Sequence, residues 1–227
     1  MSAAANIWQN LDWSVPLQLL LSIIPALLCI TLHELSHGAA AYLLGDNTAK
    51  NAGRLTLNPI RHIDIWGLAM MVICKFGWAK PVPVNMYNFK DPKKGMAITA
   101  LAGPVSNFVI AAVFLFLYGL VFTPLTVSRG FLSGAVLEMV ATTAYLSLAL
   151  GIFNLLPISP LDGSKVLFSV LPDSAYDTLM RYERYGMIIL ILLVATGATS
   201  GFLSNVTGQV YDKLFFIAEF GFDLVNH

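Results

Sequence analysis

Charge is what this chain is short of: only 11% of its 227 residues are Asp, Glu, Lys or Arg, against about 25% in an ordinary soluble domain. With 57% apolar residues and a mean hydropathy of +0.72, too little polar surface remains to coat a water-soluble globule, and the chain reads as a polytopic membrane protein. The few charges balance, 13 basic against 13 acidic, and no basic tract interleaved with aromatics exists. Nucleic acid is thereby excluded as a partner. Cysteine is scarcer still. Cys29 and Cys74 match no metal or redox spacing, so any metal must be held by His and carboxylate. Basic residues are also missing before Lys50, so the start lacks the positive region of a secretory signal, and the first apolar segment is expected to be retained.

Long apolar runs are what the chain does have. A membrane core needs about 20 apolar residues per crossing, and four segments qualify: Ser14 to Leu44, Ala97 to Phe122, Phe131 to Leu156 and, shortest, Gly186 to Phe202. Val206 to Phe222 is a fifth candidate, but Gln209, Asp212, Lys213 and Glu219 suit a helix lying in the interface equally well. Of the Lys and Arg outside these spans, eight fall in 45–96 and three in 157–185, against one in 123–130 and none before Ser14. That asymmetry predicts a cytoplasmic location for 45–96 and 157–185. Trp8 and Trp13 fit an anchor at the opposite interface. Gly77-Trp78-Ala79-Lys80-Pro81-Val82-Pro83-Val84-Asn85 cannot be helical, because each proline forces its predecessor into extended backbone; it reads as an edge strand or hairpin. Ile63 to Phe76 is apolar but too short to span, and the loop 45–96 is expected to dip into the membrane.

Ionisable residues at bilayer depth are costly and mark function. His33-Glu34-Leu35-Ser36-His37 lies inside the first apolar run. On a helix, His33 and His37 share a face one turn apart, where two imidazoles can bind one Zn²⁺ and Glu34 can act as general base. If the helix ends near Gly45, His37 lies roughly 12 Å along it from the cytoplasmic end. Catalytic zinc usually takes three protein ligands and a water. Asp162 is the best candidate for the third, in Asn154-Leu155-Leu156-Pro157-Ile158-Ser159-Pro160-Leu161-Asp162-Gly163, where prolines and a glycine break the backbone at membrane depth. Such a break is tolerated only in protein or beside a wet cavity. In Ala102-Gly103-Pro104-Val105-Ser106-Asn107, Gly103 and Pro104 permit close helix approach, and Asn107 could donate to a developing oxyanion or to substrate backbone; Asn154 could serve similarly.

Blander roles compete at each position. An intramembrane His pair can simply bond between helices, Asp162 can cap a helix after its proline turn, and Asn107 can be an interhelical hydrogen bond. Glu138, in a span but outside any motif, reads as an interfacial or structural acid. His62, after Asn58-Pro59, reads as structural. Phe114, Phe116 and Tyr118 read as lipid-facing or packing aromatics, and the charges in 172–184 as a solvated loop or helix.

HELSH, AGPVSN and NLLPISPLDG, in that order on successive spans, together resemble the site-2 protease family of intramembrane zinc metalloproteases. GRLTLNPIRHID at 53–64 and GWAKPVPVN at 77–85 are similar to that family's segment between its first two core helices. The resemblance implies one Zn²⁺ per chain on His33, His37 and Asp162, Glu34 as base, Asn107 and Asn154 as substrate or oxyanion contacts, and the proline strand as the edge that holds substrate. Ser36 stands where many members carry glycine, and the helix common before HExxH in the family has no counterpart here. A minimal member without PDZ or CBS domains is expected. The predicted architecture is an all-α polytopic membrane protein, a single domain over 1–227 with its motifs in 25–170. It has four to six transmembrane helices and a small membrane-associated β element between the first two core helices. The predicted activity is hydrolysis of peptide bonds in or beside transmembrane segments of other proteins, in the lipid bilayer of the cell (inner) membrane with the site toward the cytoplasm. A metal transporter and a catalytically silent membrane scaffold are the rivals. The first needs polar residues continuing to the far side, which the outer halves of the spans lack; the second needs neither Glu34 nor three ligands.

Overall fold

The outward faces of the helices are apolar and the inward faces carry the polar groups, the reverse of a soluble bundle. In the helix Pro92–Ser128, Val105, Val109 and Val113 are 55%, 58% and 48% exposed, whereas Thr99, Gly103 and Asn107 on the opposite face are buried. That pattern suits a hydrocarbon solvent. The computed structural model describes residues 14–67, 77–128, 130–172 and 185–226. Its helices are α1 (Ser14–Leu43), α2 (Pro92–Ser128), α3 (Phe131–Asn154), α4 (Asp162–Ser169), α5 (Tyr185–Ala195), α6 (Ser200–Leu214) and α7 (Phe216–Asn226), with a single helical turn at Thr48–Asn51. The chain is an integral membrane protein, mostly helical. The expected anchors Trp8 and Trp13, the stretch 68–76 and the charged segment 173–184 lie outside the described residues.

Leu21–Leu43 of α1, together with α2 and α3, are long and apolar enough to span, as expected. At about 1.5 Å per residue, the 37 residues of α2 extend roughly 55 Å, well beyond a core of about 30 Å, so its Lys93 and Lys94 reach the polar side. The expected fourth span over 186–202 is broken. Helix α5 stops at Ala195, Gly197 turns the chain with φ +69°, and the following Ser200–Asn226 leaves at 83°. Among the described residues the count is therefore three unbroken spans, below the expected four to six, or four with the bent pair as one. Helices α2, α3 and α7 close on Leu115, Ala144 and Ala218, with Phe114, Tyr118 and Tyr211 packed around them, while Phe116 stacks on Phe220 at 6.1 Å. Glu138 is exposed in the second turn of α3.

Helix α1 ends where Gly45, at φ +103°, permits a left-handed turn. The Gly45 N–H returns to the Tyr42 carbonyl and the Asp46 N–H to the Ala41 carbonyl, a Schellman cap. Asp46 is thereby carried into the interior, fully buried. It accepts from Thr48 N–H and hydroxyl, from Asn85 N–H at 2.7 Å and from Asn88 Nδ2 at 2.6 Å. Burial pushes its carboxyl up, but these four donors outweigh burial and hold it below the ordinary carboxylate range. It is ionised at neutral pH and ties the end of α1 to the proline-rich segment.

That segment corrects the expected β element. Among the described residues there is no strand, only one antiparallel bridge between Ile63 and Ala79, with Lys80 N–H donating to the His62 carbonyl at 2.9 Å. Two local causes stop the ladder. Asn58 caps a 3-10 turn over Pro59–His62, which curls the would-be partner away, and the Val82 N–H, next on the edge of Lys80, goes to Glu34 Oε2 instead.

Candidate metal centre

Helix α1 brings His33 and His37, one turn apart, to one face, and the broken loop after α3 brings Asp162 to meet them. Two prolines end α3, the chain turns back through the Leu161 N–H bond to Ile158 carbonyl at 2.8 Å, and Asp162 begins α4. A carboxylate suits that position, at the positive end of the new helix. The ligand atoms converge: His33 Nε2 and His37 Nε2 are 3.0 Å apart, and Asp162 Oδ2 lies 3.2 and 3.1 Å from them. All three side chains are buried.

The fit of a metal can be tested on these atoms. Around tetrahedral zinc, with bonds of about 2.0–2.1 Å, neighbouring ligand atoms stand roughly 3.3 Å apart, close to the spacing here. Asp162 Oδ2 is buried and makes no hydrogen bond although two imidazole nitrogens lie beside it, which is how a ligand oxygen stands, and a costly way to leave an ordinary acceptor. The tautomer agrees. His37 Nδ1 lies 2.7 Å from the Thr99 carbonyl, which can only accept, so Nδ1 carries the proton and Nε2 keeps its lone pair. Asn107 Nδ2 stands 3.0 Å from His33 Nδ1; the amide's oxygen and nitrogen exchange places by a flip, and with the oxygen inward the arrangement at His33 is the same as at His37. His33, His37 and Asp162 thus form a set that can hold zinc.

Neighbouring helices shape the site at close range. A Cβ on Gly103 would stand 2.4 Å from both Cε1 and Nε2 of His37 and 2.6 Å from His33 Cε1, so α2 can lie against the two rings only with glycine there. Gly103→Ala is expected to push the imidazoles off position and weaken zinc binding at least tenfold with the helical content unchanged. Zinc titration against a competing chelator, with circular dichroism alongside, checks it; wild-type affinity would refute the contact.

The other expected site residues take different places. Glu34 faces a cavity of about 630 Å³, and its Oε2 accepts from Val82 N–H at 2.9 Å. Asn154 also lines that cavity, its Nδ2 bonded to the carbonyl of Leu150 one turn back. Asn107 is fully buried against His33, and Ser147 Oγ donates to its carbonyl at 2.9 Å, so one polar chain crosses α1, α2 and α3. His62 is buried in the cavity wall with Nε2 on the Thr56 carbonyl at 2.9 Å, away from the ligands. Three contributors escaped the sequence reading: Asp46, the Thr99 carbonyl and the Val82 amide. Asp46-Asn47-Thr48 directly after a helix-ending glycine is a readable turn signal, and Pro-Val-Pro leaves one donor among three residues; a main-chain carbonyl such as Thr99 has no side-chain signature.

Residues 123–196 match the profile of peptidase family M50, a stretch that includes Asp162. “Putative zinc metalloprotease YwhC” of Bacillus subtilis is 37% identical over 174 residues, covering 77% of this chain and 80% of that protein. “Putative zinc metalloprotease Rip2” of Mycolicibacterium smegmatis is 28% identical over 190 residues, 82% of this chain and 71% of its own length. “Putative zinc metalloprotease MJ0611” of Methanocaldococcus jannaschii is 37% identical over 107 residues, 44% and 50% of the two chains. No solved structure matches.

Proposed function

Since this chain belongs to peptidase family M50, the zinc metalloproteases of site-2 type, we propose that it hydrolyses peptide bonds within or beside transmembrane segments of other membrane proteins. The observation that supports this most is the position of the ligand trio, buried among helices whose outer faces are apolar, with Glu34 beside it on the same cavity. Loop 45–96 and segment 157–185 carry most of the basic residues, which favours a site opening toward the cytoplasm in the cell membrane.

Bound zinc supplies Lewis acidity, polarising the scissile carbonyl and lowering the pKa of a water toward about 7. Glu34 takes the proton of the attacking water on a carboxylate oxygen and returns it to the nitrogen of the leaving amine. His37 and His33 are held in register by the Thr99 carbonyl and Asn107, which makes Asn107 a positioning residue, while Asn154, its Nδ2 on the Leu150 carbonyl, lines the cavity where substrate backbone would lie. A helix keeps its carbonyls in i to i−4 hydrogen bonds along its own axis, out of reach of an attacking water. Substrate must therefore unwind, and the proline-rich segment offers it main-chain partners.

The test is incubation of purified protein with a panel of single-span substrates, with and without chelator. Fragments lost on chelation and restored by zinc are expected. One glycine placed in a substrate span should speed cleavage up to about fivefold, since helix-interior Gly costs about 1 kcal/mol; equal rates for broken and unbroken spans would remove the unwinding requirement. A folded, zinc-loaded protein that cuts no span in the panel would count against proteolysis.

A further inference from the structure

The stretch Ala79 to Asn85 passes the metal centre pinned at both ends. Lys80 N–H donates to the His62 carbonyl and the Lys80 carbonyl accepts from Arg54 Nη2 at 2.6 Å; Asn85 N–H donates to Asp46 Oδ2. Between these pins the two prolines have no N–H, and the amide of Val82, itself buried, donates to Glu34 Oε2. In extended backbone, alternate residues turn their N–H and C=O groups to opposite edges. One edge, at Pro81 and Pro83, thus offers carbonyls alone. The other carries the Val82 donor, and it is the edge that meets α1. Val82 and Glu34 both line the cavity, so an extended peptide lying there runs along that edge, and Glu34 Oε2 occupies the place where such a peptide would present a carbonyl oxygen.

We propose that the Val82 amide is a shared donor, holding the Glu34 carboxylate in the free protein and passing to a substrate carbonyl when an unwound segment enters the cavity. One exchange then does two things. It releases the base only once a strand is seated, and it sets which peptide bond stands at the metal centre. The buried N–H stays paired throughout, so the exchange leaves no orphaned donor. On the same edge Lys80 N–H is already held by the His62 carbonyl, and Val84 is the next residue whose N–H faces that way, so seating on Val82, the donor opposite Glu34, sets the register. The inference rests on the proteolytic reading and adds a specificity-determining residue to it.

Val82→Pro tests it, because Val82 precedes a proline and its backbone is already biased to the extended region that proline accepts. With a single-span substrate cut by the wild-type protein, Val82→Pro is expected to keep its zinc, lose at least tenfold in kcat/KM and scatter its cuts over neighbouring bonds in mass spectra. Val82→Ala, which keeps the amide, is expected to cut at the wild-type bond. Unchanged kcat/KM and cut position in Val82→Pro would overturn the proposal, as would equal scatter in Val82→Ala. Should Val82→Pro not fold, hydrogen exchange at the Val82 amide decides. In Glu34→Ala that amide is expected to exchange freely and to slow at least tenfold when the span is added; no slowing overturns the proposal. Protection of the amide without cleavage of any span by the wild-type protein would leave the anchor standing and sink the proteolytic reading instead.

Discussion

Glu34→Gln is expected to lower cleavage at least a hundredfold while zinc remains bound at one per chain. General bases contribute about 10²–10⁴ in rate, and glutamine cannot take the proton. What it can do is accept a hydrogen bond. The Val82 N–H that now reaches Glu34 Oε2 at 2.9 Å keeps an acceptor of the same reach, so the proline-rich segment has no reason to move. Zinc analysis of the purified variant, together with fragment quantification on a span cut by the wild-type protein, reads both halves of the expectation. Loss of zinc from a folded variant would show Glu34 to be a ligand, and retained cleavage would remove it from the reaction.

Asp162→Ala is expected to do the reverse, emptying the centre while the helices stay folded. Outer partners of metal ligands are worth about 10–100-fold in affinity, and loss of one of only three protein ligands costs more than that. The two imidazoles that remain are already 3.0 Å apart, near enough to bond to each other once one nitrogen takes up a proton, and such a pair offers no metal site. Zinc content below a tenth of wild type with unchanged circular dichroism is the expected reading; full zinc occupancy would take Asp162 out of the ligand set. The two variants therefore separate binding from chemistry: one keeps zinc without activity and the other loses both.

What the sequence made legible follows from how far each signal acts. The HExxH spacing is local, set by one helical turn, so the meeting of His33 and His37 could be anticipated without knowing the rest of the fold. Asp162 was legible because two prolines and a glycine broke an apolar helix where lipid does not tolerate a break. The three unbroken spans were plain from apolar length alone. The course of 186–202 was not, because a hydropathy window averages over Gly197, and one residue in the left-handed region was enough to turn the chain. The β element was over-read for a related reason: Pro81 and Pro83 enforce extended backbone, but extension is not pairing, and the next donor on the bridged edge, the Val82 N–H, is taken by Glu34. The Val82 bond to Glu34 and the Thr99 bond to His37 join main chain to side chain across distant parts of the sequence, and no periodicity reports on such contacts.

The carbonyl of Thr99 belongs to α2, the rings it orients belong to α1, and the carboxylate that completes the trio arrives only after α3. During synthesis the histidines enter the membrane first and wait for both partners. A nascent or misassembled chain therefore carries the recognisable motif but no working centre, and competence to cut arrives together with correct helix assembly, a safeguard for a membrane crowded with other proteins' spans.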